Sequence, residues 1–424
     1  MINFRTMVSL LAATFLLATG FGPGTVHSSA AQSQPSTWPL ITSVAVNQTN
    51  GHVFVSMLIS GQPGKAGVGR SWITELDGPQ GRILRTIPVA NDLMRVEVND
   101  RTNRLFSLHG GLGPSSTDFV TTFEASTGKI LRRTSCGTGP MLGSALAPKL
   151  GRLFLLTNGP RGLTLHELDA TSGKHLREVV LPQMGPSVAV SESTGRLLVP
   201  AVGGVLVYDL HSLRSVASLP VQFAAYRVAF DESYSRVVVA GGKGFNTLYF
   251  FNAGNWRRVA TLPIGKTSLS GLAFGDSSSK LFALSSSTSS NQGPTSDAKV
   301  TVIDRKTIHV VRTTSVGVDP TQALADVRTH RVFVLSGPHL ADAKASTDFL
   351  LTIFDARSGA VVTTSRISSK VAGSSMVLDS KRGVLYLYGM GLDAQKQIVN
   401  RLAVVNTQSG AVVHSLTLPN TPTH

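Results

Sequence analysis

Residues 350–362, LLTIFDARSGAVV, contain the pattern that decides the fold of this chain. An apolar strand ends at Asp355, a short turn containing Ser-Gly follows, and a second apolar strand begins near Ala360. Successive side chains of a strand point to opposite faces, and Asp, Ser and Gly favour turns. The stretch therefore predicts a β-hairpin. Equivalent hairpins recur along the chain, each marked by an acidic or amide residue at Asp77, Glu124, Asp169, Asp209, Asn252, Asp304, Asp355 and Asn406.

A second hairpin precedes each of these, and its turn ends at a basic residue. These basic residues, the anchors, lie 40 to 52 residues apart, at His52, Arg104, Arg152, Arg196, Arg236, Lys280, Arg331 and Arg382. Four strands repeating at this period are typical of a β-propeller. We predict an all-β fold with eight four-stranded blades over residues 40–420. The alternative is seven blades, with unit 1 or unit 5 displaced. We number the repeats units 1 to 8 and their strands A to D.

In these repeats the chain resembles the YVTN family of β-propeller repeats. The matching segments are 44–47 (VAVN), 188–191 (VAVS), 104–106 (RLF), 302–304 (VID), 358–362 (SGAVV) and the Gly-x-x-Pro segments 137–140 and 317–320. The Tyr-Val-Thr-Asn tetrapeptide itself is absent. The resemblance implies a propeller over nearly the whole chain after residue 40. It does not imply one activity, because related propellers act as binding surfaces, scaffolds and occasionally enzymes.

The N-terminus predicts a secretory signal peptide over residues 1–31. Arg5 supplies a positive region, residues 7–21 are apolar, and Ser29-x-Ala31 is a plausible cleavage site. A retained membrane anchor is the alternative, although the apolar stretch is shorter than the ~20 residues needed to span a bilayer. Residues 32–39 predict a flexible leader. We expect a secreted or periplasmic protein, associated with the cell surface and without a membrane span after cleavage. The single cysteine, Cys136, excludes an intramolecular disulfide and predicts a small buried side chain.

The chain is strongly basic because acids are scarce. It has 39 Lys and Arg against 24 Asp and Glu, a formal net charge of +15, although only 15% of its residues are charged. A basic secreted protein favours polyanions such as wall polymers, anionic lipid headgroups or acidic polysaccharide. The repeats contain no groove-reading helix or aromatic stacking platform, so specific nucleic-acid recognition is not expected. We expect envelope polyanions, or another surface protein, as partners of a monomer.

Propeller topology places the A–B and C–D turns on one face, which we call the turn face. Its A–B turns hold the eight anchors, and Arg104, Arg152, Arg196, Arg236, Lys280, Arg331 and Arg382 form the predicted polyanion face. The C–D turns add a second ring: Arg82, Lys129, Lys174, Arg214, Arg257 and His309, with Ala360 and Ala411 completing the series. Two interpretations remain open: basic residues suit exposed turns and discourage aggregation, or they dock a polyanion.

The opposite face carries the long B–C loops, and we call it the loop face. These loops span residues 58–70, 109–117, 285–298, 337–347 and 389–399, in five units that are contiguous around the ring. Long loops on a rigid scaffold often bind ligands. The candidate ligand residues are His109, Asp118, Asp297, His339 and Asp348. The three aspartates precede strand C in similar settings, so they either cap their loops or contact a cation or polar ligand.

No catalytic, cofactor-binding or metal site is predicted. The chain has no Gly-x-Ser-x-Gly elbow and no His-Glu-x-x-His helix. His166 and Glu167 are strand neighbours and point to opposite faces, which argues against their sharing one site. His109 and His339, in equivalent long loops of units 2 and 7, are the only pair considered as ligands or general bases, and ordinary exposed loop histidines are the alternative. The sequence therefore favours a non-catalytic binding or scaffold module, with a lactonase-like hydrolase or lyase on the loop face as the alternative.

Overall fold

The computed structural model describes residues 39–59, 70–90, 92–110, 117–182, 185, 187–265, 267–275, 279–286, 298–317, 320–336, 349–367, 372–392 and 398–421. Within these ranges the chain folds into β-strands and one short 3-10 helix, which confirms the all-β prediction. The predicted signal peptide, and the leader except for Pro39, lie outside the described residues.

The strands have the following bounds. The first half of the chain contains β1 (Pro39–Asn47), β2 (His52–Ile59), β3 (Arg70–Asp77), β4 (Arg82–Val89), β5 (Leu93–Asn99), β6 (Arg104–His109), β7 (Thr117–Glu124), β8 (Ile130–Thr138), β9 (Met141–Ala147), β10 (Arg152–Gly159), β11 (Gly162–Asp169), β12 (His175–Val180), β13 (Ala189–Ser191) and β14 (Arg196–Asp209). The second half contains β15 (Ser215–Asp231), the 3-10 turn (Glu232–Tyr234), β16 (Arg236–Gly241), β17 (Thr247–Asn252), β18 (Arg258–Pro263), β19 (Ser268–Gly275), β20 (Lys280–Ser286), β21 (Lys299–Asp304), β22 (His309–Ser315), β23 (Pro320–Asp326), β24 (Arg331–Ser336), β25 (Phe349–Asp355), β26 (Val361–Ile367), β27 (Ala372–Asp379), β28 (Val384–Leu392), β29 (Ile398–Asn406) and β30 (Val412–Thr417).

The described strands form seven antiparallel sheets, the blades of a β-propeller. Six sheets have four strands in chain order, as in β1-β2-β3-β4. The seventh has six, in the order β13-β14-β15-β16-β17-β18, and contains both unit 4 and unit 5. The prediction of eight blades is therefore wrong, and the seven-blade alternative agrees with the structure. Unit 5, one of the two units named for displacement, is not displaced from the ring but shares its sheet with unit 4.

The merger has a local cause in two very short connections. Strand β14 runs through strands B and C of unit 4, and β15 runs through strand D of unit 4 and strand A of unit 5. The junction within β14 lies beside the junction within β15, and Val202 pairs with Ala224 there. The hydrogen-bonded ladder therefore continues from unit 4 into unit 5. Gly203 and Phe223 take positive φ values of 80° and 65° there, which lets the backbone turn sharply within the sheet.

The repeat register read from the sequence is nevertheless correct. Seven of the anchors begin the second strand of their unit, and the eighth, Arg382, lies in the turn immediately before β28. In each unit a backbone N–H of the C–D turn donates to a carbonyl of the A–B turn, as Ala170 N does to Gly151 O at 2.9 Å and Ala356 N to His330 O at 2.9 Å. These bonds hold the two hairpins at one end of the sheet, so the turn face exists as predicted.

The central strands are buried on both faces. In β24, residues Val332 to Leu335 have no exposed surface, and their side chains pack alternately toward the two neighbouring sheets. Phe333 and Leu335 contact Leu385 and Leu387 of the next sheet, whereas Val332 and Val334 belong to a cluster with Phe282 of the preceding one. Burial on both sides explains why these strands are continuously apolar.

The ring closes by packing between the first and last sheets. Strand β1 contacts β5 on one side and β27 on the other. Trp72 and Tyr386, both fully buried, lie in one cluster across this junction. Arg382 adds polar bonds, because its guanidinium donates to the carbonyl oxygens of Gln48 at 3.0 Å and Thr49 at 3.2 Å. No strand is exchanged between the terminal sheets among the described residues, so side-chain packing and these bonds close the ring.

Cys136 is buried, as predicted. It lies in the cluster that joins the second and third sheets, beside Phe106 and Leu153. Burial raises the pKa of its thiol to about 12, and the negative charges of Asp118 and Glu178 act in the same direction. The thiolate form is therefore suppressed, and the side chain serves packing.

Substitution of Arg382 tests the ion pair with a buried acid in the last sheet. Its partner Asp379 is fully buried, with a 3.0 Å bond between Oδ2 and the guanidinium, so Arg382→Ala leaves a buried carboxylate without its ion pair. We expect the free energy of unfolding to fall by about 3–5 kcal/mol. Arg331→Ala is the matched control, because its partner Asp355 is 29% exposed, and we expect a loss of at most about 1 kcal/mol. Urea denaturation measures both, and equal losses would show that the burial of Asp379 does not set the cost.

Candidate functional site

The anchors predicted to form a polyanion face lie on the turn face, but most are paired with acids of their own sheet. The pairs are Arg152 with Glu167 (2.9 Å) and Asp169 (3.4 Å), Arg196 with Asp209 (2.9 Å), Lys280 with Asp304 (2.8 Å), Arg331 with Asp355 (3.1 Å) and Arg382 with Asp379 (3.0 Å). In most of them the acid is the residue that marks the end of strand C. The inner ring of charge is therefore largely compensated within each sheet.

The remaining two anchors bond to backbone carbonyl groups of other units. Arg104 Nε donates to Thr171 O at 3.0 Å, and Arg236 donates to the carbonyl of Arg305. Arg305 is itself fully buried and pairs with Asp231 at 2.6 Å. These arginines join neighbouring repeats, so their side chains have structural contacts whatever else they bind.

The marker acids also organise the C–D turns. Oδ1 of Asp209 accepts hydrogen bonds from the backbone N–H of His211 (3.2 Å) and from the N–H and hydroxyl of Ser212 (both 2.8 Å). The backbone and hydroxyl bonds from Ser212 hold the pKa of Asp209 below its usual value, with further contributions from His211 and Arg196. Asp355 repeats the arrangement with Ser358, whose backbone N–H contributes most to its lowered pKa. Several hydrogen bonds therefore fix the conformation of each of these turns.

The outer ring of bases differs from the inner one. Lys129, Lys174, Arg214 and Arg257 are exposed, and their side chains form no ion pair within the part of the chain that the structure describes. The first member, Arg82, lies 3.9 Å from Asp77 and is 67% exposed, so that pair is weak. The uncompensated charge of the turn face therefore includes these C–D turns, together with exposed bases of the A–B turns such as Lys149.

An exposed aliphatic residue follows each C–D turn. In every unit the pairing of strands C and D skips one residue of strand D, which forms a β-bulge. The skipped residues, which we call the bulge ring, are Leu84, Leu131, Leu176, Val216, Val259, Val311, Val362 and Val413. All eight are exposed, by 37% to 52%. The sequence showed these residues only as strand members, because alternation cannot reveal a bulge.

On the loop face the structure describes two of the five candidate ligand residues, His109 and Asp118. Asp297, His339 and Asp348 lie outside the described residues, so their predicted role stays a prediction. His109 is fully buried. Its ring stacks on Phe119 with centroids 4.3 Å apart, and its Nε2 lies 2.7 Å from the Ser107 hydroxyl. His109 is therefore a packed side chain at the base of its loop.

Asp118 is a buried carboxylate without hydrogen bonds. It has no exposed surface, and within the described ranges neither oxygen has a partner. Gly110 leaves room for it, since a Cβ there would lie 2.6 Å from Oδ1. Burial raises the pKa of Asp118 to about 7. An acid with such a pKa is found both at functional sites and in strained interiors.

The structure also assembles three residues that the sequence did not connect: His166, His175 and Glu178. Glu167 does point away from His166, as predicted, and pairs with Arg152 and Arg177 instead. His166 pairs in register with Glu178 across the β11–β12 hairpin, and the bulge at Leu176 brings His175 to the same face. In the sequence, the short separation of His166 and Glu178 was compatible with pairing across one hairpin. Residue alternation could not show the bulge at Leu176, which places His175 on the same face.

Comparison with known proteins supports the fold alone. No protein-family model and no curated protein matches the chain. Solved propellers do match: dihydro-heme d1 dehydrogenase NirN in complex with DHE has a TM-score of 0.63 at 13% identity, over 92% of this chain and 75% of that one. Sqt1 of Saccharomyces cerevisiae has 0.61 at 9% (91% and 97% covered), and a eukaryotic initiation factor has 0.55 at 10% (92% and 90% covered).

Among the described residues there is no helix with the length and apolar character needed to span a bilayer.

The raised pKa of Asp118 predicts a pH-dependent stability. The folded state holds a proton between about pH 4 and pH 7 that the unfolded state releases, so the free energy of unfolding falls as pH rises through this window. Asp118→Asn removes that dependence. From pH 5 to pH 8 we expect the variant to gain roughly 2–3 kcal/mol relative to the unsubstituted protein, measured by urea denaturation.

Asp209→Asn is the control for this experiment. The pKa of Asp209 is lowered, so its stabilising charge is present throughout pH 5 to 8 and is lost only at more acidic pH. Its substitution should destabilise the protein equally at both pH values. If the Asp118→Asn variant parallels the unsubstituted protein instead, Asp118 is ionised in the folded state at pH 5.

Proposed function

We propose that this chain is a secreted β-propeller of the YVTN type that acts as a non-catalytic binding or scaffold module at the cell envelope. The observation that carries the proposal is the outer ring of the turn face. There, exposed and unpaired bases at the C–D turns lie next to the exposed aliphatics of the bulge ring. Envelope polyanions are the partner class that complements this surface, and a surface protein with an acidic patch is the second.

The placement of the charges favours binding over stability. An exposed base that forms no ion pair contributes little to folding, and its effect at long range is attraction of anions. Each Lys or Arg near an anionic surface contributes roughly 1 kcal/mol of attraction. Four such bases therefore supply useful affinity without any change in the fold.

Rigidity supports the same function. The C–D turns are held by their own acids and by backbone bonds to the A–B turns, as at Asp209 and between Ala170 and Gly151. A surface that is already ordered loses little conformational entropy when it binds. The bulge ring adds apolar contact area beside the charges, which suits a polymer or lipid surface with both anionic and apolar groups.

Substitution of the four unpaired bases tests the proposal. Lys129, Lys174, Arg214 and Arg257 are replaced together by Gln, and binding is measured to poly(glycerol phosphate), to polygalacturonate and to vesicles containing phosphatidylglycerol. We expect affinity for at least one probe to fall tenfold or more. Binding of the unsubstituted protein should weaken as salt shortens the screening length from ~10 Å at 0.1 M to ~3 Å at 1 M.

A second variant with the same loss of charge serves as the control. Arg70, Arg227, Lys243 and Arg366 are exposed residues of the loop-face half of the molecule, and they form no ion pair among the described residues. Their joint replacement by Gln should leave polyanion binding within about twofold, because the turn face keeps its ring. Equal losses in both variants would mean that only total charge matters. The anchors are unsuitable for this test, since their ion pairs would be broken as well.

The hydrolase or lyase alternative has one specific observation in its favour, the buried Asp118 with a pKa of about 7 at the base of a long loop. A carboxylic acid with this pKa can donate or accept a proton near neutral pH. The test is turnover of a lactone and ester library. Turnover that disappears in Asp118→Asn would replace the binding proposal, and the absence of turnover leaves Asp118 as a structural residue.

A further inference from the structure

We propose that His166, His175 and Glu178 bind a divalent transition-metal ion, Zn²⁺ in the first instance. These residues lie on one face of the β11–β12 hairpin, outside both the polyanion face and the loop-face candidates. The inference goes beyond the proposed function and does not depend on it.

The spacing of the donor atoms is that of a metal site. His166 Nδ1 lies 3.3 Å from His175 Nε2 and 3.5 Å from Glu178 Oε2, and all three donor atoms lie within 4.8 Å of one another. Zinc binds nitrogen and oxygen ligands at about 2.0–2.2 Å in tetrahedral geometry, which places neighbouring ligand atoms roughly 3.3–3.5 Å apart. Two of the three separations already have this value.

Hydrogen bonds from neighbouring residues orient two of the three donor side chains, those of His166 and Glu178. Thr157 Oγ1 lies 3.0 Å from His166 Nε2, and both side chains are buried. When Nε2–H donates to Thr157, the lone pair of Nδ1 points toward the other two donors. Arg161 binds Oε1 of Glu178 at 2.6 Å, which leaves Oε2 directed at the imidazoles. Hydrogen bonds of this kind fix the tautomer and orientation of metal ligands.

The chemistry of the donor set suits zinc. A neutral imidazole is the form that binds metal. The carboxylate of Glu178 supplies an anionic oxygen, and its charge is shared with Arg161. Two imidazoles and a carboxylate are a ligand set that zinc uses, with the fourth position open.

Burial decreases from His166 through His175 to Glu178, which is exposed. The cluster is therefore open to solvent on one side, so an ion can enter and a water molecule can complete the tetrahedron. Hard ions such as Ca²⁺ and Mg²⁺ prefer sites built from oxygen atoms. They should not compete for a set with two nitrogens.

Metal titration of the full chain tests the proposal. After EDTA treatment and dialysis, ZnCl₂ is added in an isothermal titration, and CoCl₂ is added separately for visible absorption. We expect one site that His175→Ala and Glu178→Gln each weaken at least tenfold. We also expect tetrahedral Co²⁺ bands, which both variants lose. Thr157→Val should weaken Zn²⁺ binding about tenfold through the orientation of His166.

Both ligand substitutions affect residues with exposed surface, so the variants should fold, and the circular dichroism spectrum checks this. His211→Ala is the matched control, because His211 is an exposed histidine at the next C–D turn and lies outside the cluster. Its binding should match that of the unsubstituted protein. Zn²⁺ should also raise the melting temperature of the unsubstituted protein and of the control, but not of the two ligand variants. Absence of binding, or binding that His175→Ala and Glu178→Gln leave unchanged, would overturn the proposal.

Discussion

Burial of both faces of the central strands is the constraint on which the rest of this structure depends. Strands such as β24 place alternate side chains into two different sheet interfaces, so no sheet can bury its apolar residues alone. Each sheet needs a neighbour on either side, and the ring must close. Other neighbouring sheets are connected by the chain that runs from one to the next. The first and last sheets lack such a connection, so side-chain packing and hydrogen bonds must hold them together. Trp72, Tyr386 and Arg382 meet that requirement.

The acids that shape the turns lie at the ends of the strands, where each serves several roles at once. Asp209 ends strand C, accepts the hydrogen bonds that shape its turn, and neutralises Arg196. Because the same acid recurs in most units, most anchors are compensated locally, and the remaining positive charge belongs to other exposed bases of the turns, such as Lys129 and Lys149. The charge that is free to bind a partner is therefore set by pairing within sheets and not by the number of basic residues.

The fold and part of the surface could be read from the chain. The alternating strands, the turn residues and the anchors at similar intervals predicted the hairpins, their register and the face on which their turns lie. The number of blades could not be read in the same way. Val202 pairs with Ala224 across two short junctions, and this contact joins two repeats that look separate in the sequence. Pairing between residues 22 positions apart depends on how tightly each junction turns, which residue type alone does not determine.

The amino-acid sequence by itself determined that this protein is all-β, repetitive and basic, because strand periodicity, turn chemistry and charge are local properties of residue order. Only the tertiary structure decided which of the bases are free and which polar side chains meet. Arg152 and Lys129 are both basic residues at hairpin turns. The side chain of Arg152 pairs with two carboxylates, whereas that of Lys129 faces solvent. His175 and Glu178 lie on one face of β12, although strict alternation would separate them. The physical reason is the bulge at Leu176. One unpaired residue shifts the alternation of β12, so that His175 and Glu178 point to the same side as His166. This arrangement depends on how β11 and β12 pair, which residue order alone does not show.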